Sequence, residues 1–166
     1  MRSQWIKTEM LQHILAALMP ENRLACEISL ATGLRIGDVL KLKPEMVRPD
    51  RRRFTIKEEK TGKTRTVYLP LELRERAYEN AGRYWVFEHR TNPVKRRTRQ
   101  AVFKDLRRAA RLFRVREHIS THSMRKAFAV DYYNKHGCNL KKVQELFNHS
   151  NEAVTMLYAM ADKITR

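Results

Sequence analysis

Arg53-Phe54-Thr55-Ile56-Lys57 alternates polar and apolar residues, and so does Thr64-Arg65-Thr66-Val67-Tyr68-Leu69. Between them lies Glu59-Lys60-Thr61-Gly62-Lys63, a polar turn with a glycine. Two period-2 runs joined by such a turn predict an antiparallel β-hairpin with Lys60 at its tip. This stretch decides the fold class, because the segments on both sides follow the period of a helix. Met46-Val47-Arg48, followed by Pro49-Asp50, is expected to add a third short strand.

Ahead of the hairpin, Thr8 is placed to cap a helix with Met10, Leu11, Ile14, Leu15 and Leu18 on its apolar side. Pro20 ends it. A second helix is expected over about residues 21–32, with Leu24, Ile28 and Ala31 on one face and Gly33 as its stop. A short helix over 36–42 precedes Pro44. Beyond the hairpin a helix is expected over about 71–81, then a short buried stretch, Trp85-Val86-Phe87. Thr98 caps a long helix that includes Val102, Leu106, Ala109, Ala110 and Phe113. Thr121 is expected to cap a helix over about 122–135 that Gly137 stops. A helix over about 140–147 and a last one from Ser150 or Asn151, carrying Val154, Leu157 and Tyr158, complete the reading. The expected class is α+β, mainly α, with a small three-stranded antiparallel sheet at one edge.

The chain has 166 residues, 42% hydrophobic, which suits one compact domain. Lysine and arginine number 35 against 18 acidic residues, a formal charge of +17. A folded chain this basic has a polyanionic partner, nucleic acid before an anionic membrane surface. Residues 90–116 concentrate the charge, with 11 basic residues against the single acid Asp105. That imbalance exceeds what a merely soluble helix face needs. The N-terminus lacks a secretory h-region, and no apolar run is long enough to span a bilayer. Cys26 and Cys138 stand far apart without zinc-ligand spacing and read as reduced thiols of a cytoplasmic protein.

Four short motifs carry chemistry. Thr32-Gly33-Leu34-Arg35-Ile36-Gly37-Asp38 sets an arginine just after a helix stop, with Asp38 placed to orient its guanidinium. Arginine's planar fork suits two phosphate oxygens. Lys60 sits in the hairpin turn. His122-Ser123-Met124-Arg125 puts a histidine and an arginine on one face at a helix N-terminus, where an anion is favoured. His149 precedes Tyr158 by nine residues. Breaking a phosphodiester needs a nucleophile, fixed positive donors for the transition state and a proton for the leaving oxygen. Each need has a candidate here.

In this order, TGLRxxD, KTGK in a hairpin, HxxR at a helix start and H-S-x(7)-Y make the chain resemble the tyrosine site-specific recombinases. That family includes phage integrases and bacterial Xer-type and fimbrial phase-switch recombinases. The resemblance runs from about Arg23 to Ala161. It implies the DNA breaking-rejoining fold, double-stranded DNA as partner, a homo-oligomer on DNA (a tetramer in the family) and no cofactor or metal. By the resemblance, Arg35 and Arg125 grip the scissile phosphate. His122 and His149 donate to phosphate oxygens and assist proton transfer. Lys60 protonates the leaving 5′ oxygen, Tyr158 forms a 3′-phosphotyrosyl bond, and Asp38 supports Arg35. Lys63, Arg96, Arg97 and Arg99 are expected to contact DNA.

The chain departs from the family pattern in places. Leu146-Phe147-Asn148-His149 stands where relatives often have Leu-Gly-His. About 22 residues precede the matched region and eight follow Tyr158. The expectation is thus one catalytic domain over 1–166 without the family's N-terminal clamp domain, either excised or from a minimal recombinase. Two other readings stay open. A type IB topoisomerase shares the chemistry, and a non-cutting DNA-binding regulator with a recombinase-like fold shares the charge.

Overall fold

The computed structural model describes residues 8–147. His149, Tyr158 and the expected last helix lie outside the described residues.

Helix α1 (Thr8–Ala16) and α2 (Pro20–Thr32) form the first layer. Pro20 opens α2, where its missing N–H costs nothing. Gly33 closes it in the left-handed region (φ 68°), its N–H donating to the Ser29 carbonyl at 2.8 Å. A short α3 (Ile36–Val39) follows, and then a 3₁₀ turn over Pro44–Met46. That turn replaces the strand expected at Met46-Val47-Arg48. Pro44 fixes a helical φ at the start of the turn and cannot donate to a ladder, so the segment coils.

The hairpin forms as the alternation requires. Strands β1 (Arg53–Lys57) and β2 (Thr64–Tyr68) pair antiparallel, Phe54 opposite Val67 and Ile56 opposite Arg65. Phe54, Ile56, Val67 and Leu69 enter the core. After α4 (Leu71–Asn80), a second hairpin appears that the sequence reading did not contain: β3 (Glu88–His89) and β4 (Asn92–Arg96). Among the described residues the strands therefore form two separate two-stranded ladders, not one three-stranded sheet. The Val86 N–H donates to the Leu42 carbonyl (2.9 Å), and the Trp85 indole N–H to the Val94 carbonyl (2.9 Å), which fixes this second hairpin beside α3.

Helices α5 (Arg99–Leu112), α6 (His122–Lys135) and α7 (Leu140–Phe147) complete the domain. Thr98 caps α5 as expected, accepting from the Ala101 N–H at 3.2 Å. Phe113, expected on the apolar face of α5, ends up exposed at its C-cap. The α6 cap is one residue earlier than expected. Thr121 makes no capping bond, whereas Ser120 Oγ accepts from the His122 N–H and Ser123 Oγ accepts from the Ser120 N–H, both at 3.2 Å. This is a reciprocal box built from two serines.

One large core gathers Leu11, Ile14, Leu24, Ile28, Leu106 and Met124 from α1, α2, α5 and α6. A smaller cluster of Ala129, Val143 and Phe147 joins α6 to α7. Cys26 is buried and Cys138 exposed, and neither is in a disulfide; burial pushes the Cys26 thiol pKa up. No helix of the described residues is long and apolar enough to cross a membrane.

Gly33 is where α2 meets α6, and a Cβ there would collide with the Phe128 ring. Gly62, also left-handed (φ 65°), faces open space. Gly33→Ala should therefore be less stable than Gly62→Ala by about 1–3 kcal/mol, the overpacking cost added to a shared backbone cost. Urea melts of both variants check this; equal losses would show that α6 does not press on Gly33.

Candidate functional site

The segment Thr32-Gly33-Leu34-Arg35 links the end of α2 to α3, and its backbone is held on several sides. Ser29 Oγ donates to the Leu34 carbonyl and Thr32 Oγ1 to the Ile28 carbonyl, both at 2.7 Å. From β2, the buried Arg65 donates through NH2 to the Thr32 carbonyl at 2.6 Å. From α6, Arg125 donates through NH1 to the Gly33 carbonyl. Arg125 is wholly buried, and its guanidinium lies over the Phe147 ring at 4.1 Å. A planar cation on an aromatic face is favourable when desolvated. Thus α7 backs Arg125, and Arg125 braces the segment that presents Arg35.

Arg35 is the N-cap residue of α3 and only 8% exposed. Its NH1 meets Oε2 of Glu58 at 2.9 Å. Glu58 is fully buried at the end of β1, and Arg65 NH1 stands 3.8 Å from its other oxygen. Asp38, expected to orient Arg35, has a different main contact: its Oδ1 accepts the Glu59 N–H at 2.8 Å and so ties α3 to the hairpin. Burial raises the Asp38 carboxyl pKa, against the Glu59 hydrogen bond and the nearby charge of Arg35 that lower it. Among the described residues, the carboxylate directly on Arg35 NH1 is that of Glu58.

Lys60 and Lys63 are exposed on the turn. The turn closes with the Gly62 N–H donating to the Glu58 carbonyl and the Glu58 N–H donating to the Lys63 carbonyl, both at 2.9 Å. His122 is exposed on the first turn of α6, three residues ahead of Arg125. The structure therefore joins Arg35, Asp38, Arg125 and the Lys60 turn through one set of contacts, with His122 one helical turn from Arg125. His149 and Tyr158 are outside the described residues, but Phe147, two positions before His149, is in contact with Arg125.

The basic run serves two purposes. Arg97 Nε donates to Asn22 Oδ1 at 2.6 Å, Asn22 Nδ2 donates to Asp105 Oδ2 at 2.7 Å, and the Met19 N–H reaches that same oxygen at 2.8 Å. Arg108 pairs with Asp105 Oδ1 at 2.7 Å and donates to the Ala17 carbonyl at 2.6 Å. Arg97 and Arg108 thus pin the α1–α2 junction to α5. Arg96 reaches the Gly37 carbonyl (3.4 Å) and Glu59 (3.5 Å), while Arg99 is exposed at the start of α5. Arg96, Arg97 and Arg99 line one cavity of about 290 Å³ with Gly37, Glu59 and the first turn of α5.

No motif names Glu58 or Arg65, yet the sequence carries a signal for both. Both share strand parity with the core residues: Phe54 and Ile56 on β1 with Glu58 just past its end, Arg65 and Val67 on β2 with Leu69 just past its end. A charged residue at an inward position of an amphipathic strand must find a partner. The Asn22–Asp105 contact spans 83 positions and had no such local signal.

Residues 4–164 match the profile of the phage integrase family. The chain belongs to that family. A tyrosine recombinase XerD of Ralstonia nicotianae is 31% identical over 152 residues, which cover 86% of this chain and 49% of that protein. The integrase of Escherichia phage P2 is 28% identical over 93% of this chain and 42% of its own length. The chain thus spans about half the length of these relatives. Its fold matches that of a lambda integrase dimer bound to a COC′ core site, with a TM-score of 0.75 and 19% identity over 94% of this chain and 59% of that one.

Asp105 gives this arrangement a pH signature. Burial pushes its carboxyl pKa up, but hydrogen bonds from Asn22, the Met19 N–H and Arg108 outweigh burial and hold it below the usual range. A depressed folded pKa stabilises above the unfolded value of about 3.9, and the gain fades as pH falls through the folded pKa. Asp105→Asn should cost about 1–3 kcal/mol at neutral pH. The gap from wild type should narrow on acidification, as urea midpoints across pH will show; a gap unchanged in acid would contradict this.

Proposed function

We propose that this chain cuts and rejoins double-stranded DNA at a specific site through a covalent bond to Tyr158. The observation that carries the reading is the convergence of Arg35 and Arg125, 90 positions apart, on one segment beside the Lys60 turn, in a member of the phage integrase family. Guanidinium forks fixed before substrate arrives stabilise the charge that develops on a phosphoryl group under attack.

In this mechanism the Tyr158 phenol oxygen attacks phosphorus and the bond to the 5′ oxygen breaks. The phenolic proton leaves to a base, with His122 and His149 as the assisting imidazoles. Lys60 gives its proton to the 5′ oxygen. Arg35 and Arg125 hold the non-bridging oxygens throughout. A free phenol has a pKa of about 10, and neighbouring cations favour its ionised form. The phosphotyrosyl ester keeps the energy of the broken diester, so a 5′ hydroxyl from another strand can reverse the step without ATP. Lys63, Arg96 and Arg99 would contact the flanking backbone, with Arg97 held by Asn22 at their side. Since the matched lambda integrase is a dimer on its DNA, assembly of copies on DNA is part of the proposal.

The test uses a nicked duplex carrying the inverted repeat that flanks the gene, with adducts resolved on a denaturing gel. Wild type should form a covalent protein–DNA product and Tyr158→Phe none. Arg125→Lys, which keeps charge but loses the fork, should slow adduct formation by about 10²-fold or more. Equal behaviour of wild type and Tyr158→Phe would contradict the reading.

A further inference from the structure

We infer that Glu58 is a positioning residue that sets Arg35 and the Lys60 turn relative to each other, an inference that rests on the strand-transfer reading above. The Glu58 side chain is completely buried. Desolvating a carboxylate is unfavourable unless fixed partners offset it. Its partners are specific. Oε2 alone faces Arg35 NH1 at 2.9 Å and accepts from Thr61 Oγ1 at 3.1 Å. One oxygen therefore holds both a proposed phosphate-gripping guanidinium and the residue next to Lys60. The Glu58 main chain brackets the same turn, with its N–H on Lys63 and its carbonyl on Gly62.

The second oxygen closes a ring. Glu58 Oε1 faces Arg65 NH1 at 3.8 Å, an ion pair beyond hydrogen-bond reach, and Arg65 NH2 grips the Thr32 carbonyl. From Thr32 the backbone runs three residues to Arg35, which returns to Glu58. A displacement of the turn is thereby passed to Arg35 directly through Oε2 and, more loosely, through the Arg65 ion pair. Core packing alone would not call for this arrangement: an apolar residue at position 58 would fill the space next to Ile56 without a charge. The geometry instead suits a reaction in which Arg35 must meet a non-bridging oxygen while Lys60 meets the leaving oxygen of the same phosphate. Small misplacements between such groups are expensive in rate.

Glu58→Gln keeps the shape and removes the charge; Thr61→Val removes only the hydroxyl that ties the turn to Oε2. Both are compared with wild type at saturating DNA on two nicked duplexes carrying the flanking repeat. One has the ordinary 5′-oxygen leaving group. The other has a bridging 5′-sulfur, whose thiolate leaves without needing the Lys60 proton. Cleavage of the oxygen substrate should slow at least tenfold in Glu58→Gln and about threefold in Thr61→Val, with DNA affinity held or improved. The sulfur substrate should restore part of both losses, a selectivity that general loosening of the fold would not produce. Unchanged cleavage by Glu58→Gln, or equal losses on both substrates in both variants, overturns the inference while wild-type cleavage leaves the strand-transfer reading standing. A wild-type chain that forms no adduct on either duplex overturns that reading and this inference together.

Discussion

The carbonyl oxygens of Thr32 and Gly33 each accept a hydrogen bond from a buried guanidinium, one brought by β2 and the other by α6. These two contacts hold the end of α2 where three separate parts of the chain meet. Gly33 must be left-handed to turn its carbonyl toward α6, and it must lack a Cβ to let Phe128 approach. Arg35 leaves this braced segment as the N-cap residue of α3, so its direction depends on groups 30 and 90 positions away. The Asp38–Glu59 hydrogen bond and the Arg35–Glu58 ion pair tie α3 to the hairpin as well, so the segment, α3 and the hairpin share one frame with α6.

The electrostatics follow from that constraint. Arg35, Arg65 and Arg125 are all buried near the segment, where unpaired charges are costly. Glu58, just past β1, and Asp38 of α3 supply opposing carboxylates, and the Phe147 ring supplies an aromatic face. Removing one partner of such a pair commonly costs about 3–5 kcal/mol, because the other is left stranded. The surface charge of the basic run obeys different rules. Arg99 is exposed to water and to any polyanion, while Arg97 and Arg108 are committed to Asn22 and Asp105. The count of 35 lysines and arginines therefore overstates how many have their side chains given over to solvent.

The sequence was most legible where structure is local. The period-2 runs around Lys60 gave the hairpin, Gly33 ended α2, and Thr98 capped α5, each because the deciding atoms lie within a few residues. The third strand at Met46-Val47-Arg48 failed because Pro44 started a 3₁₀ turn that the apolar residues alone did not announce. The second hairpin has no alternating run in the sequence, because β3 is two residues long and β4 contains Pro93. At α6 three consecutive hydroxyl-bearing or polar residues competed for the cap, and Ser120 prevailed through its exchange with Ser123. For the site, motif order named Arg35, Lys60, His122 and Arg125, and the fold joins their segments. Glu58 and Arg65 needed the strand parity to be read as a demand for pairing. The Asn22–Asp105 link depends on tertiary packing and left no trace in local sequence.

Arg65 and Arg125 hold the 32–35 segment jointly. A double-mutant cycle on folding stability, using Arg65→Lys and Arg125→Lys, measures this directly. Lysine keeps the charge of each site and loses the fork. If the two grips depend on each other, the double variant will be more stable than the sum of single losses predicts, by about 1 kcal/mol or more. Additivity within about 0.3–0.5 kcal/mol would mean that the two carbonyls are held independently and that the segment has no joint brace.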